Sequence, residues 1–190
     1  MRVTVDLSGL RGFARELRSG LRGESGPVRD AVYQWAVRYR AAMQRRFNEF
    51  SRGGGDWPPL AESTIIGRRH GKGGRFKRGK GALARARATG GGQVSILRDT
   101  GTLFGALTPA FVGVPGQHQQ HIPNGIAVGF GGPAKHPRGV ATIAGIAEYH
   151  QEGSGKLPKR EILVPPSDQL MLAMTGDMER AIRKLSAQNR

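Results

Sequence analysis

One stretch of this sequence restricts the fold more than any other. Residues 63–98 hold ten Lys or Arg (Arg68, Arg69, Lys72, Arg75, Lys77, Arg78, Lys80, Arg85, Arg87 and Arg98), nine Gly and no acid. Such a segment breaks any helical or strand period and has few apolar side chains to bury, so it reads as a long mobile insertion. The core must therefore come from what precedes and follows it. The other 154 residues carry 20 bases and 14 acids, so the net charge of +16 divides into a mildly basic scaffold of +6 and a stretch of +10. A chain of this length buries roughly 70% of its unfolded surface as one compact body. Residues 1–190 are thus expected to form a single domain, with 51–98 as a long basic loop or arm inserted between the first long helix and a sheet.

Around that stretch the apolar pattern is regular. Val28, Val32, Trp35, Tyr39, Met43, Phe47 and Phe50 recur at steps of three and four, which predicts an amphipathic helix over about 27–50, capped by Ser25 or Gly26. Arg29, Arg38, Arg40, Arg45 and Arg46 fall largely on its other faces. Leu10, Phe13, Leu17 and Leu21 suggest a short helix over about 8–21. After the stretch, Asp99 or Thr100 is expected to cap a short helix containing Leu103, Phe104 and Leu107. Phe111, Val112 and Val114 read as one strand and Ile126, Val128 and Phe130 as a second, joined by a polar turn. Residues 142–151 read as a helix and 160–164 as a further strand, halted by Pro165 and Pro166. Ser167 then caps a second long helix whose stripe is Leu170, Met171, Met174, Met178, Ile182 and Leu185. The predicted class is α+β: two long amphipathic helices packed on a small antiparallel sheet, with a long basic Gly-rich loop.

Little in the sequence supports catalysis. The absence of Cys excludes a disulfide framework, a thiolate metal site and a Cys nucleophile, and it suits a reducing compartment. His70, His118, His121 and His136 fall in the basic stretch or in Gly- and Pro-rich turns without an acid nearby, and His150 with Glu148 and Glu152 reads as a helix end. Residues 67–72 are one residue short of a phosphate loop. No catalytic residue, metal site or cofactor is expected. The start MRVTVDLSGL lacks the apolar run of a secretory signal and no stretch approaches a membrane span, so a soluble, cytoplasmically made protein without membrane contact is expected.

The order of the punctuating motifs carries further information. An amphipathic helix ending in RRFNEF (45–50) is followed by GGDWPPLAEST (54–64), ILRDTGTLFGAL (96–107), AVGFGG (127–132), IAEYHQEG (146–153) and LPKREILVPPSD (157–168). This succession resembles the virion-morphogenesis, or tail-completion, family of Mu-like bacteriophages and related neck proteins of long-tailed phages, over roughly residues 28–187. The matching positions are Trp57, Pro59 and Leu60; Leu97, Asp99, Thr100, Gly101 and Leu103; Tyr149, His150, Gln151 and Gly153; and Pro158, Arg160, Ile162 and Leu163. Tyr149 directly precedes His150 instead of standing a helical turn before it, and Ile162 replaces an aromatic residue.

The resemblance implies a non-enzymatic structural protein of the virion neck. Its subunits would form a ring, a hexamer by the family pattern, that stabilises the joint between head connector and tail. The implied partners are further copies of the chain, head-closure or connector proteins, and tail terminator or tail tube proteins. Phage DNA in the lumen is a further candidate. The partner-binding candidates are the basic residues Arg68, Arg69, Lys72, Arg75, Lys77, Arg78, Lys80, Arg85 and Arg87. They would engage either a neighbouring subunit or nucleic acid. The alternative is a standalone nucleic-acid-binding protein using the Arg/Gly-rich loop. Only Phe76 in that loop offers a ring for base stacking.

Overall fold

The computed structural model of the chain describes residues 8–24, 26–70, 95–98, 100–109, 114–122, 125–137 and 139–188, with the backbone alone at 8–11 and 67–70. Its helices are α1 (Ser8–Leu21), α2 (Gly26–Ser51), α3 (Glu62–His70), α4 (Thr102–Ala106), α5 (Ile143–Glu152) and α6 (Asp168–Gln188). Its strands β1 (Gln117–Ile122) and β2 (Gly125–Phe130) pair antiparallel, with Gln117 opposite Phe130 and Ile122 opposite Gly125. The protein is therefore α+β, with long helices and a small two-stranded antiparallel sheet among the described residues.

Helix α2 is the spine. Its 26 residues span about 39 Å at 1.5 Å per residue, long enough to serve two separate apolar clusters. At its start Val28 and Ala31 meet Ala181 and Leu185 of α6, with Phe13, Leu17 and Leu21 of α1 closing the group. At its end Met43 and Phe47 join Trp57, Ile96, Leu97, Leu103, Leu107, Ile143, Ala147 and Ile162. Complete burial of a side chain such as Phe47 stabilises by about 1.5–3 kcal/mol.

The buried face of α2 differs from the expected stripe: Trp35, Tyr39 and Phe50 are only partly buried, while Ala31, Ala36, Arg40 and Ser51 are buried. Residues 28, 32, 36, 40, 43 and 47 form the inner row, so Arg40 is buried although the apolar pattern puts it outside. Its Nη2 donates to the His118 carbonyl at 2.9 Å. Desolvation lowers its pKa from the ordinary arginine value, partly countered by Tyr33. An acceptor brought by β1 makes this burial tolerable, and local sequence carries no trace of it.

Four other expectations change. Strand β1 occupies the segment read as a polar turn; Val114 lies outside it, and Phe111 and Val112 are outside the described residues. QHQQHI has no apolar alternation, and its strand form comes from pairing with β2. His118 and His121 therefore sit on a strand. Residues 160–164 join no strand, and Leu163 sits at a bend. Helix α3 lies within the stretch read as a loop, with Glu62 in its first turn complementing the helix dipole. Finally, α4 starts from Gly101 at φ 74° without a side-chain cap. Thr100 Oγ1 instead lies 3.0 Å from Thr102 Oγ1 and 2.8 Å from His136 Nε2, and Asp99 is outside the described residues.

Ser167 caps α6 as expected, Ser25 lies outside the described residues, and Thr142 adds a cap to α5. Ser167 Oγ accepts from the Leu170 amide at 3.3 Å, and Thr142 Oγ1 accepts from the Gly145 amide at 3.0 Å. No described helix is long and apolar enough to cross a membrane.

Candidate assembly surface

Some of the residues that carry the motif pattern, Trp57, Pro59, Gln151 and Arg160 among them, converge on one brace. Trp57 follows the end of α2 and is buried edge-on against Phe47 and Phe50, with ring centroids 5.2 and 5.6 Å away. Its indole N–H donates to the Glu161 carbonyl at 3.1 Å. Arg160, 4% exposed, returns the contact from the other strand of the brace. Its Nε and Nη2 donate to the Pro58 carbonyl at 3.0 and 2.9 Å, and Nη2 also reaches the Pro59 carbonyl at 3.1 Å. Pro58 and Pro59 lie outside any helix or strand, so their carbonyls have no ladder partner there, and the planar guanidinium serves both at once. Leu60 packs on the core from the same segment.

Gln151 holds the next stretch of chain. Its Oε1 accepts from the Ile162 and Leu163 amides at 2.9 and 3.0 Å, and its Nε2 donates to the Leu163 carbonyl at 2.8 Å. One side-chain amide thus satisfies backbone groups that a neighbouring strand would otherwise pair, so Ile162 and Leu163 can be packed outside any sheet. The Arg160 amide donates to the His150 carbonyl at 2.6 Å, while Gly153, at φ 79°, ends α5 in a conformation that favours glycine. Pro158 is half-buried and Tyr149 is half exposed, outside the brace.

Arg46 completes the brace; it lies within RRFNEF (45–50) but is not among the matched motif positions. Its guanidinium lies 4.1 Å from the Phe50 ring centroid and 6.0 Å from that of Trp57, and it donates to the Glu161 carbonyl. The signal available in the sequence was its place one step before Phe47 on the helix end. At the surface nearby, Lys159 pairs with Glu161 at 2.7 Å. The bond raises the lysine pKa and lowers that of the glutamate, and its exposure to solvent makes the pair a minor contributor to stability.

Of the basic residues expected to bind partners, Arg68 and Arg69 lie on the backbone of α3, while Lys72, Arg75, Lys77, Arg78, Lys80, Arg85 and Arg87 are outside the described residues. Among the described residues no group of three or more His, Asp or Glu is arranged to hold a metal ion. His118 and His121 are three positions apart on β1, which directs them to opposite faces and prevents a chelate.

The exposed surface offers a groove of about 360 Å³ between α2, β2 and the start of α6. Trp35, Tyr39, Ile122, Ile126, Val128 and Met174 line it, and no charged residue does. The Trp35 indole N–H donates to the Met174 carbonyl at 2.8 Å and the Tyr39 hydroxyl to the Val164 carbonyl at 2.9 Å, so the polar ends of both rings are already used. Burial holds the Tyr39 phenol above its ordinary pKa, an effect the Arg46 charge only partly offsets. On the same helix Met171 and Leu172 are 47% and 75% exposed, and the exposure of Met171 departs from the expected inward methionine stripe on α6. The run LMLAM at 170–174 was the sequence signal for this surface: five consecutive apolar residues cannot all face one side of a helix. A separate, shallow face of α1 presents Arg15, Arg18 and Arg22 one turn apart.

Compared with known proteins, no family model, no curated protein and no solved structure matches the chain.

Proposed function

We propose that this chain is a structural subunit of a bacteriophage neck, a tail-completion protein that assembles as a ring and stabilises the joint between head connector and tail. The observation that carries the reading is the brace. Trp57, Gln151 and Arg160 spend their polar groups on backbone carbonyls and amides of distant segments, as residues that make a subunit rigid do. A ring subunit needs such rigidity, because small errors in each contact accumulate around a closed assembly. The groove beside α6 adds an uncharged surface suited to protein contact. In this reading the basic stretch of 63–98 joins neighbouring proteins of the neck or faces DNA passing through it.

The experiment is replacement of Arg68, Arg69, Lys72, Arg75, Lys77, Arg78 and Lys80 by Ser or Gly in the particle-forming system. A folded subunit that enters particles poorly, with heads and tails left unjoined, is the expected result. The second reading, a standalone nucleic-acid-binding protein, draws on the exposed arginine row of α1 as well as on the basic stretch. It predicts normal particles and a loss of DNA affinity. In that case the salt dependence of binding would fall by a slope of about 6 for seven lost phosphate contacts.

A further inference from the structure

Helix α1 carries its anchor on one side and its charge on the other. Phe13, Leu17 and Leu21 pack against Val28, Ala31, Ala181 and Leu185. Gly20 lies so close to α2 that a β-carbon on it would stand 2.6 Å from Val28 Cβ. The side turned outward presents Arg15, Arg18 and Arg22, all exposed, around a shallow depression completed by Ala14, Ser19 and Glu24. By helical geometry the three arginines fall within about 60° of one another round the axis and span about 10.5 Å along it. Glu16 stands about 100–160° away from them. Arg29, Arg38, Arg180 and Arg183 are paired with carboxylates. Among the described residues Arg15, Arg18 and Arg22 have no such side-chain partner.

We propose that this face of α1 binds the phosphate backbone of a nucleic-acid duplex through Arg15, Arg18 and Arg22, without reading its sequence. Three cations fixed in a row match a ligand whose negative charges repeat along a line. Each strand of a duplex presents a phosphate about every 3.4 Å of the axis, so the row of about 10.5 Å runs past about three steps. The guanidinium fork matches phosphate oxygens, and the Ser19 hydroxyl offers a further donor beside it.

The side chains lining the depression include no ring and no long apolar group. Base stacking on a single strand, insertion into lipid and the buried anchor of a protein interface each require one, whereas phosphate contacts do not. The apolar face that an interfacial helix would give to lipid is here used on α2 and α6. This assignment deepens the nucleic-acid reading by naming the surface and its contacts. Helix α1 lies outside residues 28–187, which carry the motif resemblance, so failure of the assignment leaves the neck reading intact.

The test is fluorescence anisotropy of a DNA duplex of about 20 base pairs with the full chain, from about 50 to 200 mM salt. The variant replaces Arg15, Arg18 and Arg22 together by Gln and keeps the whole basic stretch. The positions are exposed and Gln has nearly the helix propensity of Arg, so circular dichroism and melting temperature should match the parent. The parent should bind, and the slope of log affinity against log salt should fall by about 2.7 in the triple variant and about 0.9 in each single one. Replacement of all three by Lys, which keeps the charges, should leave the slope within about 0.5 of the parent. An RNA duplex of the same length shows which backbone is preferred, and loss on either supports the assignment. An unchanged slope in the triple variant, or a parent that does not bind duplex at low salt, overturns it. So does a variant that keeps its duplex affinity and loses binding to phosphatidylserine vesicles or to polyglutamate, which assigns the row to a membrane or to an acidic protein. If the triple variant unfolds, the slopes of the three single variants decide by the same criterion.

Discussion

Gln151 illustrates how much a single side chain determines here. It makes three hydrogen bonds to the backbone of Ile162 and Leu163, and Ile162 is fully buried. Gln151→Leu removes the partners without admitting water, so we expect a loss of about 3 kcal/mol, measured by denaturant unfolding. Arg160→Lys keeps the charge but loses the fork that spans Pro58 and Pro59, and the expected loss is about 2 kcal/mol. Tyr39 gives a pH-dependent case. Its raised folded-state pKa means that the native protein holds the phenolic proton more tightly than the unfolded chain. The stabilisation is complete below the ordinary tyrosine pKa and is lost as pH rises through the folded-state value. The parent should therefore exceed Tyr39→Phe by about 1 kcal/mol at neutral pH, through the bond to Val164. That margin should shrink above about pH 10 in melts run from pH 7 to 11.

At the scale of elements, close approaches set positions that propensity leaves open. Gly116 precedes β1 at φ 82°, and a β-carbon there would lie 2.5 Å from Ile143 Cγ2 at the start of α5. Gly116→Ala combines a left-handed backbone with a steric clash, and we expect a loss of about 3 kcal/mol with displacement of α5, visible as shifted amide signals across 143–152. Leu97 shows the opposite balance. It adopts φ 58°, which costs about 1–2 kcal/mol for a residue with a β-carbon. Its burial returns about 1.5–3 kcal/mol, so packing wins and the strained turn persists. Helices α2, α5 and α6 and strand β2 were legible because an apolar period runs through each. Strand β1 was not, since Gln and His alternate with one another and its only local apolar residue is Ile122. Helix α3 was hidden in a stretch whose later residues are dominated by Gly and Arg.

Among the described residues two apolar clusters lie on one spine, and α2 runs through both. Leu185→Ala should create a cavity costing about 2–4 kcal/mol at the α1, α2 and α6 end. Hydrogen exchange should then accelerate in α1 and the carboxyl half of α6 more than around Trp57 and α5, because local opening follows the weakened cluster. Uniform acceleration across the chain would instead mean that the clusters unfold together. For function the same division matters: the brace around Trp57 and Arg160 stiffens one end, and the uncharged groove lies along the middle of α2.

The sequence alone determined which segments have a face to bury, because periodicity is a local property, but not that Ile96 and Leu97, at the end of the acid-free stretch, join the core. It also determined that the motif positions form an ordered set. Only the tertiary structure decided what they do: Trp57 and Glu161 are 104 positions apart, and Arg160 and Pro58 are 102 apart. Hydrogen bonds across such separations depend on where the chain returns, which no local pattern encodes. The same reason explains the buried Arg40, whose acceptor at His118 lies 78 positions away. It also explains the exposed Leu172, whose place outside the monomer follows from which face of α6 meets α2.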